Sequence, residues 1–324
     1  MRKILSIFLV TLPLLSVAQF APPAGQEGTT AMHCDSSAFV AWATGCVVER
    51  GPMRIDKPEN GLASYGVDTD GIGKADGQTL VSLGDGGNAV LTFESPIYNG
   101  PGPDFAVFEN PLENAQQHGY YFLEMGFVEV SSDGVNYVRF PAISRIPSDT
   151  QVGSFGCVLP ELVHNLASKY APLYGTPFDL DELPETELID INRITHVRIV
   201  DVVGCIDPQY ATYDSEGNIV NDPWPTPFAS SGFDLDAVGV IHDLAHNSVD
   251  DHAATEMLVY PNPVQNTLSV KAENLNSITV YSLTGQRVVE SESNHVDVSF
   301  LQPGVYFARV SANGTVIVNK FVKK

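Results

Sequence analysis

Positive charge is scarce in this sequence. Over 324 residues, 17 Lys and Arg stand against 39 Asp and Glu, a formal net charge of −22. So few cations cannot neutralise a phosphate backbone, which excludes nucleic-acid binding. The same shortage argues against adhesion to an anionic membrane surface. Long apolar runs are also missing. The longest, from Ile4 to Val17, is broken by Pro13 and falls short of the ~20 residues a spanning helix needs. The four cysteines include no C-x-x-C pair, the usual start of a zinc site. Catalytic strings are absent as well: there is no G-x-S-x-G and no H-E-x-x-H. Gly71-Ile72-Gly73-Lys74 fails as a phosphate loop, because Asp68 stands where its first glycine is required.

What is present begins with an address. Arg2 and Lys3 precede the short apolar run, and Ser16-Val17-Ala18 closes it. This is the pattern of a secretory signal peptide, with cleavage expected after residue 18. No membrane-spanning segment is then expected in the processed chain. An even number of cysteines in an exported chain reads as disulfides with three possible connectivities. Cys34 and Cys46 lie close in sequence and are the expected pair, which leaves Cys157 with Cys205. Free buried thiols are the alternative.

The hydrophobic share of 44%, with Gly 27 and Pro 22, indicates globular domains rich in turns, and the length allows about two. Charge divides them. Residues 20–256 hold 9 basic and 35 acidic residues, whereas 257–324 hold 6 and 4. The acidity therefore belongs to the first part. Residues 246–256, with Asp250, Asp251 and His252, read as a linker. The expected organisation is a signal peptide over 1–18, an acidic module over 19–245, this linker, and a second domain over 257–324.

The last part alternates short strands with turns. Leu268–Val270, Ile278–Tyr281 and Val305–Val310 are strand-like, and Thr284-Gly285, Pro303-Gly304 and Asn313-Gly314 are turn signals. A small Ig-like β-sandwich fits these lengths. Four strings are more specific: Val259-Tyr260-Pro261-Asn262-Pro263-Val264, Tyr281-Ser282-Leu283-Thr284-Gly285-Gln286, Leu301-Gln302-Pro303-Gly304-Val305-Tyr306 and Asn319-Lys320-Phe321-Val322-Lys323-Lys324. In this order they resemble the type A C-terminal sorting domain of the type IX secretion system of Bacteroidota. The resemblance implies that this machinery is a partner and that the protein is secreted or held at the outer-membrane surface.

The acidic module is also strand-rich. Ala89–Phe93, Asp104–Phe108, Phe127–Ser131, Thr195–Val203 and Phe233–Ile241 are the clearest strands, and Ser132-Asp133-Gly134 should close a hairpin. One helix is expected over Leu159–Tyr170, with Leu162, Leu166 and Tyr170 on one face, and a second, short one over Asp179–Leu183. The expected class is all-β, a jelly-roll sandwich with one or two short helices. The strings Val81–Gly87, Asp104–Asn110, Phe127–Gly134 and Gly232–Gly239 resemble an exported bacterial cell-surface family with a galactose-binding-like jelly roll. That resemblance implies binding of a glycan or small molecule without catalysis. Similar proteins also suggest a surface cobalamin-capture role as an alternative. A structural adhesin is another.

Candidate chemistry comes from acids and aromatics. Asp68 and Asp70, Asp214, and Asp234 with Asp236 supply oxygens in turns or on one strand face, suiting a structural calcium ion as cofactor. Neither the Asp68 loop nor the Asp214 loop completes an EF-hand: the first has Ile72 at its fifth position and the second Ile219 at its sixth. Solvated turn caps are the plain alternative. Asp104 and Glu109 flank a strand and suit a ligand site, and a carboxylate pair would instead serve a glycan hydrolase. Trp224, held between Pro223 and Pro225, is either a ligand platform or a loop anchor, with Tyr210 and Tyr213 nearby. Trp42 reads as core. His242 and His246 read as part of a solvated linker.

Overall fold

The computed structural model describes residues 20–246, 258–272, 274–283, 285–312 and 315–324. The signal-peptide expectation over 1–18, nearly all of the linker and the Asn313-Gly314 turn lie outside the described residues. The chain divides into two compact units, Met1–Asn247 and Ser248–Lys324.

The first unit is a sandwich of two antiparallel sheets. One runs in the order Met32–His33, Tyr174–Phe178, Phe105–Phe108, Ala237–Val240, Ala41–Trp42. The other runs Val138–Arg139, Gly126–Ser131, Ile194–Asp201, Asn88–Ile97, Gly45–Glu49, with Leu166–Ala167 added beside Gly126–Phe127. From residue 88 onward the chain passes repeatedly between the sheets, as a jelly roll does. Val/Ile/Phe alternation explains why these segments are strands. In Ile194–Asp201, Val197 and Ile199 enter the main core, where Leu91, Val128, Val130, Phe105, Val107 and Val238 meet them. Each large apolar side chain buried there contributes about 1.5–3 kcal/mol.

Phe105–Phe108 is buried on both faces. Phe105 and Val107 face the main core, while Ala106 and Phe108 pack outward with Ala75 and Ala237, against Phe39 and Trp42. Gly126–Ser131 is likewise buried throughout, with Phe127 joining a third cluster of Leu123, Met125, Val163, Leu166 and Val202. Extra layers therefore cover both sheets. The expected hairpin forms: Asp133 Oδ1 accepts from the amides of Val135 and Asn136, both at 2.8 Å, and Gly134 supplies φ +75°.

The helix expected over Leu159–Tyr170 does not form. One 3-10 turn, Pro160–Leu162, is followed by strands Val163–His164 and Leu166–Ala167. Asn165 at φ 50° and Ser168 at φ 68° interrupt any helix here, because successive L-residues cannot continue it through the left-handed region. Pairing of Leu166 with Phe127 supplies the burial that the helical spacing suggested. The second expected helix is a single 3-10 turn, Leu180–Glu182, capped by the Asp179 side chain.

The disulfide expectation is corrected. Cys34, Cys46, Cys157 and Cys205 are all free thiols. Cys34 packs in the outer cluster around Phe108, whereas Cys46 lies on the other sheet against the main core. Neighbours in sequence are thus separated by a layer of the sandwich. Burial pushes the Cys46 thiol up to about 12, so it stays protonated and unreactive.

The second unit is built from the sheets Leu258–Tyr260, Thr267–Lys271, His295–Asp297 and Arg287–Ser291, Leu275–Ser282, Gly304–Ala312, Thr315–Lys323. Its core is hydrocarbon: Val264, Leu268, Val270, Ile278, Val280, Val296, Val310 and Phe321 among others. The first and last specific strings meet. Asn262 Nδ2 donates to Lys320 O at 3.1 Å, and Val322 N donates to Asn262 Oδ1 at 3.0 Å.

Candidate functional site

The residues singled out from sequence are scattered, and most have structural duties. Trp224 is an anchor: its Nε1 donates to Asp85 Oδ2 at 3.0 Å, and the Arg54 guanidinium lies 5.6 Å from its ring centroid. Tyr213 is exposed, and the Tyr210 hydroxyl is bonded by Gln209 at 3.1 Å. Asp68 accepts from Val48 N, Asp70 from Val67 N, and Asp214 from the amides of Ser144, Glu216 and Asn218. These three are turn and strand caps. Asp104 is fully buried, and its oxygens accept from Gly100 N, Leu180 N and His242 Nδ1 at 2.7–2.8 Å. His242 is therefore a clamp on Asp104, not part of a solvated linker.

Glu109, Asp234 and Asp236 do converge, and a residue the sequence did not flag joins them. Asp236 N donates to Phe108 O, which sets the chain from Asp234 to Asp236 beside the end of the strand Phe105–Phe108, next to Glu109. A side chain on Gly126 would meet the Phe233 ring at 2.9 Å, so the chain after Glu124 passes against the residue before Asp234. Asp234 accepts from Ser82 Oγ and Glu109 from Ser168 Oγ. Glu124 is 5% exposed, and its Oε1 has no partner. Burial, reinforced by the neighbouring acids, pushes Glu109 and Glu124 well above the carboxylate range. Burial pushes Asp234 up to about 7 and Asp236 to about 6. Glu129 shows the contrast: equally buried, it is bridged by both Arg139 and Arg198. Only His33, Cys34 and Asp35, among the described residues, bring three ligand atoms within 4.8 Å of one another. Lys74 already bonds Asp35 there.

A second feature lies elsewhere in the same unit. A cavity of about 300 Å³ is lined by Phe20, Pro103, His164, Asn165, Lys169, Asp179 and Glu182, with Ala21, Thr30, Thr176 and Pro177 completing the wall. Its size is at the lower end of ligand sites. Phe20 stacks on His164 with ring centroids 5.1 Å apart and 15° between planes, and its amide is tied to Glu161 O. Asn165 Nδ2 donates to Glu182 Oε2 at 2.5 Å, and His164 Nε2 lies 3.5 Å from the same carboxylate. Lys169 is 4% exposed. Its ammonium donates to Val163 O at 2.8 Å and has no carboxylate within 4.0 Å among the described residues. Burial pushes it down to about 8, opposed by the more distant Glu161. Burial likewise raises Asp179 and lowers His164. The left-handed turns at Asn165 and Ser168, which destroy the helical reading, are what turn these side chains to one place. The expected helix concealed that grouping.

Residues 258–324 match the family model for the secretion system C-terminal sorting domain. This marks the chain as a type IX secretion substrate, secreted or displayed at the cell surface. Among the described residues no helix is long and apolar enough to cross a membrane. No curated protein matches the chain. Among solved structures, similarity is found to the BSP domain of a biofilm associated protein, with 11% identity over 73% of this chain and 48% of that one at TM-score 0.17. Beta-glucuronidases of Faecalibacterium prausnitzii (8% identity, 87% and 44% covered, TM-score 0.18) and Ruminococcus gnavus (10%, 86% and 45%, 0.18) are also similar. The chain spans about half the length of these proteins. Scores this low carry neither fold nor function across.

Proposed function

We propose that the first unit is a non-catalytic binding module that captures a small polar ligand, a glycan unit or similar molecule, outside the cell. The observation that carries this reading is the cavity on a domain joined to an export tag. Its wall combines a stacked aromatic pair, a buried ammonium and two carboxylates, the mixture of apolar faces and a few placed polar groups that ligand sites use. The resemblance to galactose-binding-like jelly rolls agrees with it. A corrinoid is too large for the cavity, so cobalamin capture would require an open surface. The test is a thermal-shift screen of the full chain against monosaccharides and small metabolites, followed by calorimetry on the hits. Saturable binding without turnover is expected. The reading fails if no ligand raises the melting temperature.

One observation favours a second reading. Asp179 and Glu182 share the wall, and burial raises Asp179, as a general acid requires. Release of reducing sugar that Asp179→Asn abolishes would establish a hydrolase instead.

Calcium, as a structural cofactor, belongs in this reading at the buried acids. Glu109, Glu124 and Asp234 are the residues that would hold it, and they would have to draw together to do so, because their ligand atoms do not all lie within 4.8 Å of one another. The orphaned Glu124 Oε1 and the absence, among the described residues, of a basic partner at Glu109 and Glu124 fit a hard cation with oxygen ligands. Asp68, Asp70 and Asp214 spend their oxygens on backbone amides and fit less well.

A further inference from the structure

We propose that the cavity beside Lys169 is specific for a sugar acid, a small polyhydroxylated carboxylate whose anionic group pairs with the Lys169 ammonium. This deepens the binding-module reading and rests on it. An ammonium buried without a counter-charge is costly, because desolvation is not offset by a nearby opposite charge. Here Lys169 lines a partly open space large enough for a guest, and among the described residues only the Val163 carbonyl is bonded to its ammonium. Glu161 is the only acid acting on it among the described residues and lies beyond bonding distance, so a carboxylate entering that space would supply a counter-charge in contact, with a charge-assisted hydrogen bond.

The remaining wall argues for hydroxyl groups on the same guest. Glu182 and Asp179 present acceptors but would repel a second anionic group, so the ligand carries one carboxylate and several donors. Asn165 and His164 already hold Glu182 in position, which limits the ordering cost on binding. Phe20, stacked on His164 and sharing the cavity wall with Pro103 and Pro177, offers a rigid apolar surface to the C–H face of a sugar ring. The Phe20 and Tyr170 rings lie 5.9 and 5.7 Å from the ammonium. Those rings favour the charged state weakly and leave the ammonium's other donors available.

The groups facing Lys169 are Glu161, His164, Tyr170, Asp179 and Glu182. His164 is held below its usual range and Tyr170 above its own. Between pH 7 and 9 Lys169 is therefore the side chain whose charge changes. An α-amino group freed near Phe20 by signal cleavage would titrate in the same window, and a variant separates the two.

The experiment is calorimetry of the full chain with galacturonate and gluconate, using galactose as the neutral control. Galacturonate should bind at least tenfold more tightly than galactose. Its affinity should fall about tenfold from pH 7 to pH 9, with proton uptake on binding near pH 8, because the free ammonium titrates at about 8. Lys169→Met should weaken galacturonate binding by tenfold or more and abolish the pH step, while Lys169→Arg should retain binding. The pH and proton-uptake measurements need no variant, so they stand if Lys169→Met fails to fold. Equal binding of galactose and galacturonate without a pH step would overturn the sugar-acid assignment and leave the binding module intact. Binding of simple carboxylates such as acetate as tightly as galacturonate would also overturn it. Failure of every sugar and metabolite in the screen would remove both readings.

Discussion

The two units solve the same packing problem with different interiors. The C-terminal sandwich fills its core with Val, Leu, Ile and Phe, and its buried polar residues are few, Thr279 and Lys323 among them. The larger sandwich has a comparable aliphatic centre but also buries Asp85, Asp104, Glu109, Glu124, Asp201, Asp222, Asp234 and Asp236. Hydrocarbon packing suffices for the unit that matches a sorting domain. Most of these acids accept hydrogen bonds, but few face a basic group and Glu124 Oε1 has no partner; burying so many carboxyls costs stability, so their presence in the larger unit indicates that something besides folding has shaped that unit.

The largest effect expected from breaking this comparison is on location. Deletion of residues 258–324 should abolish appearance of the larger unit outside the cell, as read by fractionation and immunoblotting. Undiminished export would detach the tail from its assigned role. Next comes stability of the tail alone. Phe321 is fully buried, and Phe321→Ala should cost about 3–5 kcal/mol, lowering one calorimetric transition while leaving that of the larger unit in place. A single merged shift would show that the units do not melt separately.

The buried acids give the next effect. With Asp234 near 7 and Asp236 near 6, the folded state holds protons that the unfolded chain releases at lower pH. Their stabilisation is therefore complete below the ordinary carboxylate range, is lost progressively as pH rises from there, and is gone once pH has passed 6 to 7. In chelator, the melting temperature of the larger unit should fall between about pH 5 and pH 8, with Asp234 alone accounting for about 2–3 kcal/mol of the loss across that window. Calcium should restore it at the higher pH, and Glu124→Gln should remove that response. A melting temperature indifferent to calcium would dismiss the ion. A smaller effect is expected at Trp224. Trp224→Ala leaves the buried Asp85 short of one donor, at a cost of about 1–3 kcal/mol, without changing ligand affinity; weakened binding would return Trp224 to the site. Reductant should change nothing, and four thiols per unfolded chain should react with a thiol reagent.

Much of the strand content was legible because Val/Ile/Phe alternation is a local signal: Asp104–Phe108 and Thr195–Val203 fall on strands Phe105–Phe108 and Ile194–Asp201. The helix over Leu159–Tyr170 misled for an equally physical reason. Apolar residues at i, i+4 and i+8 also arise when two left-handed residues fold short strands back on a sheet. The candidate site was legible only in fragments. Asp234, Asp236 and Glu109 were visible as acids, but Glu124 sits in an unremarkable string, and nothing near Lys169 signals a ligand. The cysteines were read by count, whereas pairing requires proximity that the sandwich denies.

By itself the sequence determined the C-terminal sorting strings, the division of charge along the chain and the all-β class, because each depends on composition or on neighbours along the chain. Only the tertiary structure decided which acids lose their water, which thiols stay apart, and that Phe20, Pro103 and the turn-bound residues from His164 to Glu182 line one cavity with a lysine in its wall. Burial and enclosure are properties of long-range contacts, and no local pattern encodes them.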